Sequence, residues 1–381
     1  MNFMLTQQQT QLKNSVNTFC QKHFNPDQAL DLDKKEEYPH ELYKKAAKQG
    51  FTSLFIPKTY GGKEQGYLAA CIAMEEMCKA DSSLGIACMI GTFGSDLILL
   101  NGTEEQKNRL LPPLCRGDAI SAAAFTEPER GTDISAVDTT ATKTAKGWTI
   151  NGTKTLITNA TTADFLIVLC QTGDKAQPRK SQSLFIVDTK TQGLSVKKLH
   201  NKMGIRCVPT GEIAFKNVKV DDNALLGELN SGFSYSMQFF SISRVLIAAQ
   251  AVGTAQGALD LAIEYAKQRE SYGQPIIRYQ QIGAKLAQIA SEIEAALLLT
   301  YKAAWTIDQN TTDSMLTSMA KLYASDVAVR ATDAAVQTLG GYGYLGENKV
   351  ERYYRDARVT QIYEGTSEIQ RLAILKHLTK T

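Results

Sequence analysis

The sequence predicts a mixed, mainly helical α+β fold in three parts: an N-terminal helical domain over residues 1–120, a middle β-barrel or sandwich domain over 121–230, and a C-terminal four-helix bundle over 231–381. Three observations carry this. Up to residue 120, runs of helix-forming residues alternate with short loop signals. From 121 onward β-branched residues gather in short runs separated by turns, and from Gly232 the helical period returns and holds to the C-terminus.

The opening stretch, MNFMLTQQQTQLKNSV, reads as a polar helix ending near His23. It lacks the charged start, apolar run and small-residue cleavage site of a secretory signal. A second helix covers 39–50, and PKTYGGKEQG (57–66) is a loop with Pro at its start and Gly within it. Residues 67–80 and 84–100 are Ala-, Met- and Cys-containing helical runs. TEEQKNRLLPPL places Thr103 and Gln106 at capping-box spacing and is expected to stop at Pro112 and Pro113.

In the middle domain, GWTINGTKTLIT carries Asn151 and Gly152 between two alternating segments, a strong hairpin signal. FLIVLC (165–170), SLFIVD (183–188), GLSVKKL (193–199) and EIAFKNVKV (212–220) follow as further strands. In the C-terminal third, Leu286, Ile289, Ile293, Leu297 and Ala304 recur at steps of three, four or seven, as do Met315, Met319, Leu322, Val329 and Val336. That is the pattern of long helices packed along one another in an antiparallel bundle.

Composition excludes several function classes. Lys+Arg 42 against Asp+Glu 39 gives a net charge of +3, and no basic block interleaved with aromatics points to nucleic acid. No window approaches the eighteen consecutive apolar residues of a membrane span, so a protein of the compartment where it is made is expected. The seven cysteines form no CxxC pair and are expected as free buried thiols in a reducing cytoplasm. The four His are far apart, and no metal site is expected.

The most informative stretch is QIYEGTSEIQRLAILKHL (361–378). Ser367 and Gln370 stand at capping-box spacing, with Thr366 an alternative cap, and Ile369, Leu372 and Ala373 begin an apolar stripe. Glu364 therefore sits at the mouth of a helix, where unpaired N–H groups and a partial positive charge favour an anion and can keep a buried carboxylate ionised.

The segments IPKTYGG, EEQKNRLLPPL, TEPERGTD, NGTKTLITNA, KMGIR, SRVLIAAQAVGTAQGALDLAIEYAKQRESYGQPI, QTLGGYGYL and RDARVTQIYEGTSEIQR run almost end to end. In their joint order and spacing the chain resembles the acyl-CoA dehydrogenases, of the short- and medium-chain type with the base in the YEGT motif. The resemblance implies the acyl-CoA dehydrogenase fold, FAD, and introduction of a double bond between Cα and Cβ of an acyl thioester in fatty acid metabolism. It implies Glu364 as the base that removes the α-proton while the β-hydrogen leaves as hydride to the flavin. The position used as base in other branches is Ser243 here, which leaves Glu364 without a competitor. Gly365 lets the chain pass close to the thioester carbonyl, with the backbone amide of Glu364 a donor to it.

For the cofactor, the resemblance implies Thr126 at the ring edge, Thr132 at the phosphate or substrate edge, Leu156 against the ring and Thr158 at flavin N5. It implies Arg269, Ser271, Gln280, Gln337, Gly340 and Gly341 at the pyrophosphate and adenosine, supplied largely to the neighbouring subunit, and Thr366 and Glu368 as further cofactor contacts. Four departures stand out: Glu129 and Arg130 replace small residues, Leu156 replaces a common Trp, and Glu368 replaces a Gln of some relatives. For the substrate it implies Thr132, Ser241, Arg244 and Gly365, with Ser241 where relatives often carry Asp. That loss leaves a phosphopantetheinyl carrier protein as the alternative to CoA. An O₂-using oxidase or monooxygenase on the same fold and a catalytically dead scaffold are the competing functions; the retained YEGT favours dehydrogenation. A homodimer or homotetramer, re-oxidised by an electron-transferring flavoprotein in a bacterial cytoplasm, completes the expectation.

Overall fold

The computed structural model describes residues 4–379; residues 1–3 of the opening helix expectation and 380–381 of the bundle lie outside it. Seven helices form the N-terminal part: α1 (Gln7–His23), α2 (Pro26–Lys35), α3 (His40–Gln49), α4 (Gly66–Ala80), α5 (Ser82–Met89), α6 (Ser95–Asn101) and α7 (Glu104–Arg116). Their starts follow local chemistry. Thr6 with Gln9 and Thr103 with Gln106 form capping boxes, and Asn25 caps α2 ahead of Pro26.

Two helical expectations change. The run 84–100 is broken between α5 and α6, where Gly94 takes φ +93°. α7 does not stop at Pro112 and Pro113 but carries both prolines to Arg116. The carbonyls that lose their N–H partners belong to Asn108 and Arg109, which face solvent, while Leu111, Leu114 and Cys115 anchor the last turn in the core.

The middle part is one eight-stranded sheet of β1 (Ser121–Ala124), β2 (Thr140–Thr144), β3 (Gly147–Thr158), β4 (Phe165–Gln171), β5 (Gln182–Asp188), β6 (Leu194–Lys198), β7 (Thr210–Val220) and β8 (Leu225–Leu226). Strand order is β6-β7-β3-β2-β4-β5-β8, with β1 parallel to β4. β4 is buried along its whole length, which explains its unbroken apolar reading. Leu166 and Val168 enter the large core shared with the helices, while Phe165, Ile167 and Leu169 enter a second core with Ile98, Leu111 and Phe239.

The Asn151-Gly152 hairpin is not formed. The turn falls at Ala145-Lys146, and β3 runs straight through Asn151 and Gly152. Opposite Asn151 the partner strand has two residues, a β-bulge, and Asn151 Oδ1 accepts the N–H of Asn217 at 2.8 Å. Gly152 has φ +147°, and a Cβ there would lie 2.6 Å from Thr139 Cα, so the glycine serves close strand approach.

The C-terminal part contains α8 (Gly232–Gln268), a short ladder of β9 (Glu270–Ser271) with β10 (Gln274–Pro275), then α9 (Gln280–Asp308), α10 (Ser314–Leu339), α11 (Val350–Val359) and α12 (Ser367–Leu378). α8 is long and apolar enough to cross a bilayer, yet 72% of its most apolar window is buried inside the fold. A Cβ at Gly253 would lie 2.2 Å from the Glu75 carbonyl oxygen of α4, so the α4–α8 crossing requires glycine there. The face of α10 that enters the core is Leu316, Ala320, Ala324, Val327, Ala331 and Ala335; Met315, Met319, Leu322, Val329 and Val336 are only half-buried. Small residues are what a close helix pair admits, and the large ones are turned aside. All seven cysteines are buried and unpaired.

Buried polar bonds tie the three parts together. Arg352 of α11 pairs with Asp81 at the start of α5, and Asp356 accepts the Ser83 hydroxyl at 2.5 Å and the Ile205 N–H at 2.6 Å. Replacing Gly152 by Ala is expected to lower unfolding stability by about 1–3 kcal/mol, through a strained backbone and a clash with Thr139. A urea midpoint unchanged from wild type would show that the bulge tolerates a side chain.

Candidate functional site

Glu364 lies in the turn between α11 and α12, and its backbone is unusual. Glu364 has φ +54° and Gly365 φ +88°, two consecutive left-handed residues. Only the second is a glycine, so the first is held there by its surroundings. Gln370 Nε2 donates to the carbonyls of Glu364 (3.1 Å) and Gly365 (2.8 Å), and Lys321 Nζ of α10 donates to the Gly365 carbonyl at 2.7 Å. Gln370 and Lys321 are both fully buried. α12 is capped by Thr366, the alternative to Ser367, with its hydroxyl accepting from the Ile369 N–H. Among the described residues nothing accepts the backbone N–H of Glu364.

The conformation aims the carboxylate at α8. Ser243 donates its hydroxyl to Glu364 Oε2, and Arg244 follows it on the same helix, with Nη1 donating to Ser318 at 3.2 Å. Among the described residues the buried Arg244 Nε has no partner. Burial pushes Glu364 above the usual carboxylate range; Ser243, Arg244 and Lys321 pull it back, and Asp96 adds to the rise. Burial outweighs the donors around the helix mouth, so the net shift is upward. Burial also lowers Lys321 to about 8, against the opposing charge of Glu364.

Behind Ser243 lies a cavity of about 40 Å³, lined by Phe51, Phe55, Met74, Phe93, Asp96 and Phe239 among others. Burial raises the Asp96 carboxyl to about 6, with the Tyr67 hydroxyl opposing. Sequence reasoning missed Asp96, Lys321 and the Ser243 bond. Lys321 had a signal: it is a lone charge on the face of α10 that carries Leu316, Ala320 and Ala324.

The remaining residues fall on three surfaces. Leu156 sits at a second bulge, where β3 has two residues against one on β7, and takes φ +56°. The bulge turns Leu156 outward to 64% exposure, an apolar side chain in the open beside half-buried Thr158. The Thr155 N–H donates to the Thr126 carbonyl at 2.9 Å, which brings the TEPERGTD loop to the same edge, and Lys154 Nζ holds that loop through Phe125 and Glu127. Thr132, Glu129 and the neighbouring Gly131 are exposed.

Arg269, Ser271, Gly340 and Gly341 line one open groove of about 550 Å³ between the ends of α8 and α10. Gln280 and Gln337 are exposed but do not line it. Thr366 and Glu368 line a separate groove with Arg358 and Arg371. Ser241 Oγ is bonded back to the Met237 carbonyl at 2.9 Å.

A flavin dinucleotide fits these surfaces on two observations. A Cβ at Gly340 or Gly341 would meet nothing within 4 Å, so the groove beside Arg269 leaves room for a phosphate against bare backbone. Exposed Leu156 presents apolar surface on β3 beside the loop that begins at Thr126, where a flat ring can lie.

Comparisons with known proteins agree along the whole chain. Family models for the acyl-CoA dehydrogenase N-terminal, middle and C-terminal domains match residues 6–118, 122–218 and 230–379. A 3-(aryl)acrylate reductase of Clostridium sporogenes is 41% identical, covering 98% of this chain and 99% of its own. An acyl-CoA dehydrogenase of Bacillus subtilis is 40% identical, covering 98% of each. Among solved structures, butyryl-CoA dehydrogenase from Megasphaera elsdenii superposes with a TM-score of 0.96 at 38% identity, covering 100% of both chains. A chain from a structure of the electron transferring flavoprotein of Acidaminococcus fermentans reaches 0.97 at 36% identity, again over 100% of both. A prolyl acyl carrier protein oxidase reaches 0.94 at 33%, over 99% of this chain and 100% of its own.

The buried lysine gives a pH test. Its folded pKa of about 8 lies below that of an unfolded lysine, so between the two the unfolded chain binds more protons and stability rises with pH. Wild type is therefore expected to gain unfolding stability relative to Lys321→Met as pH rises from about 8 towards 10. A stability difference that stays flat across that range would show that Lys321 titrates normally.

Proposed function

The chain belongs to the acyl-CoA dehydrogenase family, and from that premise we propose that it dehydrogenates the Cα–Cβ bond of an acyl thioester, acyl-CoA to trans-2-enoyl-CoA, with Glu364 as the base. FAD is the family's cofactor, and when bound it supplies the two-electron acceptor for the β-hydrogen. The single observation that carries the reading is the held carboxylate: Glu364, bonded to Ser243 and placed beside Arg244 and a short apolar cavity.

The chain's own residues divide the work. Glu364 removes the α-proton, and its raised pKa makes it a stronger base than a solvated carboxylate once ionised. Its unaccepted backbone N–H is free to donate to the thioester carbonyl, where negative charge develops as the proton leaves. Lys321 and Gln370 hold the turn, so base and donor keep a fixed relation. Arg244 offsets negative charge around the reacting carbonyl. Thr126, Thr132, Leu156 and Thr158 are assigned to the flavin ring and its phosphate edge. Arg269, Ser271, Gly340 and Gly341 are assigned to the pyrophosphate and adenosine of a neighbouring subunit, with Gln280, Gln337, Thr366 and Glu368 as outlying contacts.

Exposed Leu298, Trp305, Leu372 and Leu375 on the bundle support assembly into a homodimer or homotetramer. The likeness to a chain from the Acidaminococcus structure supports an electron-transferring flavoprotein as acceptor. We place the enzyme in fatty acid metabolism in a bacterial cytoplasm, in keeping with its Bacillus and Clostridium relatives. A carrier-protein thioester is the second reading, supported by Ser241, whose hydroxyl is spent on its own helix, and by the likeness to a carrier-protein oxidase.

Anaerobic titration of the FAD-loaded protein with acyl-CoAs, and with the same acyl groups on a carrier protein, tests the proposal. Bleaching of the flavin absorbance is expected, and its absence with every thioester would overturn the reading. Glu364→Gln is expected to keep FAD and lose bleaching by at least about 10³-fold in rate; substantial turnover would place the base elsewhere. Arg269→Ala is expected to retain less flavin per chain after gel filtration, about tenfold weaker for one lost charge-assisted contact. Full retention would remove Arg269 from the cofactor site.

A further inference from the structure

The cavity behind Glu364 contains a group that α-proton removal does not use. Most of its wall is what an aliphatic chain calls for: Phe51, Phe55, Met74, Met89, Phe93 and Phe239. Asp96 and Thr52 interrupt that wall. Asp96 is 4% exposed and Thr52 2%, so water does not solvate either from outside. A carboxyl in an apolar chamber is costly unless something donates to it.

Within the fold Asp96 has one side-chain donor among the described residues. The Tyr67 hydroxyl donates to Oδ1 at 2.5 Å, and the Tyr67 ring is stacked on Phe55 with centroids 4.8 Å apart, which fixes the hydroxyl in place. The charges that shift Asp96 include no basic partner. The Thr52 hydroxyl is buried with no hydrogen-bond partner among the described residues. Two polar groups thus face the interior of a cavity whose other wall includes Ser243, the residue bonded to Glu364.

The next step rests on the dehydrogenase reading, in which the acyl chain runs from Glu364 into this cavity. We propose that the preferred acyl group is short and carries a hydrogen-bond donor, a hydroxyl or an ammonium, at the end remote from the thioester, received by Asp96 with Thr52 beside it. Asp96 is then a specificity-determining residue and takes no part in the proton or hydride transfer. A purely hydrocarbon chain would leave the Thr52 hydroxyl unpaired and the Asp96 carboxyl with no side-chain donor beyond Tyr67, whereas a terminal donor adds a partner to both. Sites built to receive a donor discriminate strongly against the analogue that lacks it.

Two isosteric substrate pairs test this with the FAD-loaded protein: 4-hydroxybutyryl-CoA against pentanoyl-CoA, and 5-aminopentanoyl-CoA against hexanoyl-CoA. Each pair differs only in a terminal methyl replaced by hydroxyl or ammonium. Wild type is expected to favour the donor-bearing member of at least one pair by about tenfold or more in kcat/KM, and the pair that responds tells hydroxyl from ammonium. Asp96→Leu is expected to reverse that preference, chiefly through KM, with flavin content unchanged. Should that variant not fold, the wild-type comparison stands by itself. Preference for the methyl-terminated member of both pairs, or a donor preference that survives in Asp96→Leu, overturns the inference while the dehydrogenase reading stands. Failure of all four to bleach the flavin overturns both.

Discussion

The structure depends on one costly arrangement: a carboxylate, Glu364, held in a left-handed backbone conformation near the buried Lys321 and the half-buried Arg244. Each part of that arrangement makes the others necessary. The left-handed turn exposes carbonyls that need donors, and Gln370 and Lys321 supply them. Lys321 is then a buried charge, tolerable because Glu364 is near, and Glu364 is drawn down from its burial penalty by Ser243, Arg244 and Lys321 together. A group set in this way has a high intrinsic basicity and a fixed direction, the two properties a proton-abstracting base requires.

The β domain solves a different problem, the placing of particular side chains and loops along one strand. Two bulges in the β3–β7 ladder contribute to it. One is accommodated by Gly152 and the Asn151 side chain, and the other turns Leu156 out of the sheet. The loop that begins at Thr126 is fastened to the same strand by the buried Lys154–Glu127 pair, with a 2.8 Å contact. Loop and bulge are therefore positioned by one strand. The helical parts in turn are locked to this domain through Asp356, which binds both Ser83 and the backbone of Ile205, itself at φ +48°. Strain at a β-branched residue persists only where neighbours hold it.

Polar residues in apolar surroundings recur around the proposed site. Ser243, Asp96 and Thr52 each lie at least nine-tenths buried around one small cavity, and Lys321 is fully buried against the Glu364–Gly365 turn. Each departs from the apolar pattern that would have been the cheaper solution for packing alone. Such concentrated departures from local consistency are where sequence-level rules are expected to yield to function.

Much was legible in the residues themselves. Helical period, capping boxes at Thr6 and Thr103, the apolar run of β4 and the ordered motifs around YEGT depend on neighbours in the chain, so sequence alone determined the three-part architecture and the family, and it singled out Glu364 as the base proposed here. The misreadings share a cause. Asn151-Gly152 looks like a turn but lies under β7, Pro112-Pro113 looks like a stop but its orphaned carbonyls face water, and the large apolar stripe of α10 yields to alanines because α8 lies too close. Only tertiary structure decided that the Glu364 pKa rises, that Lys321 supports its turn and that Asp96 faces its cavity. Burial and long-range hydrogen bonds set those properties, and both arise from residues far apart in the chain.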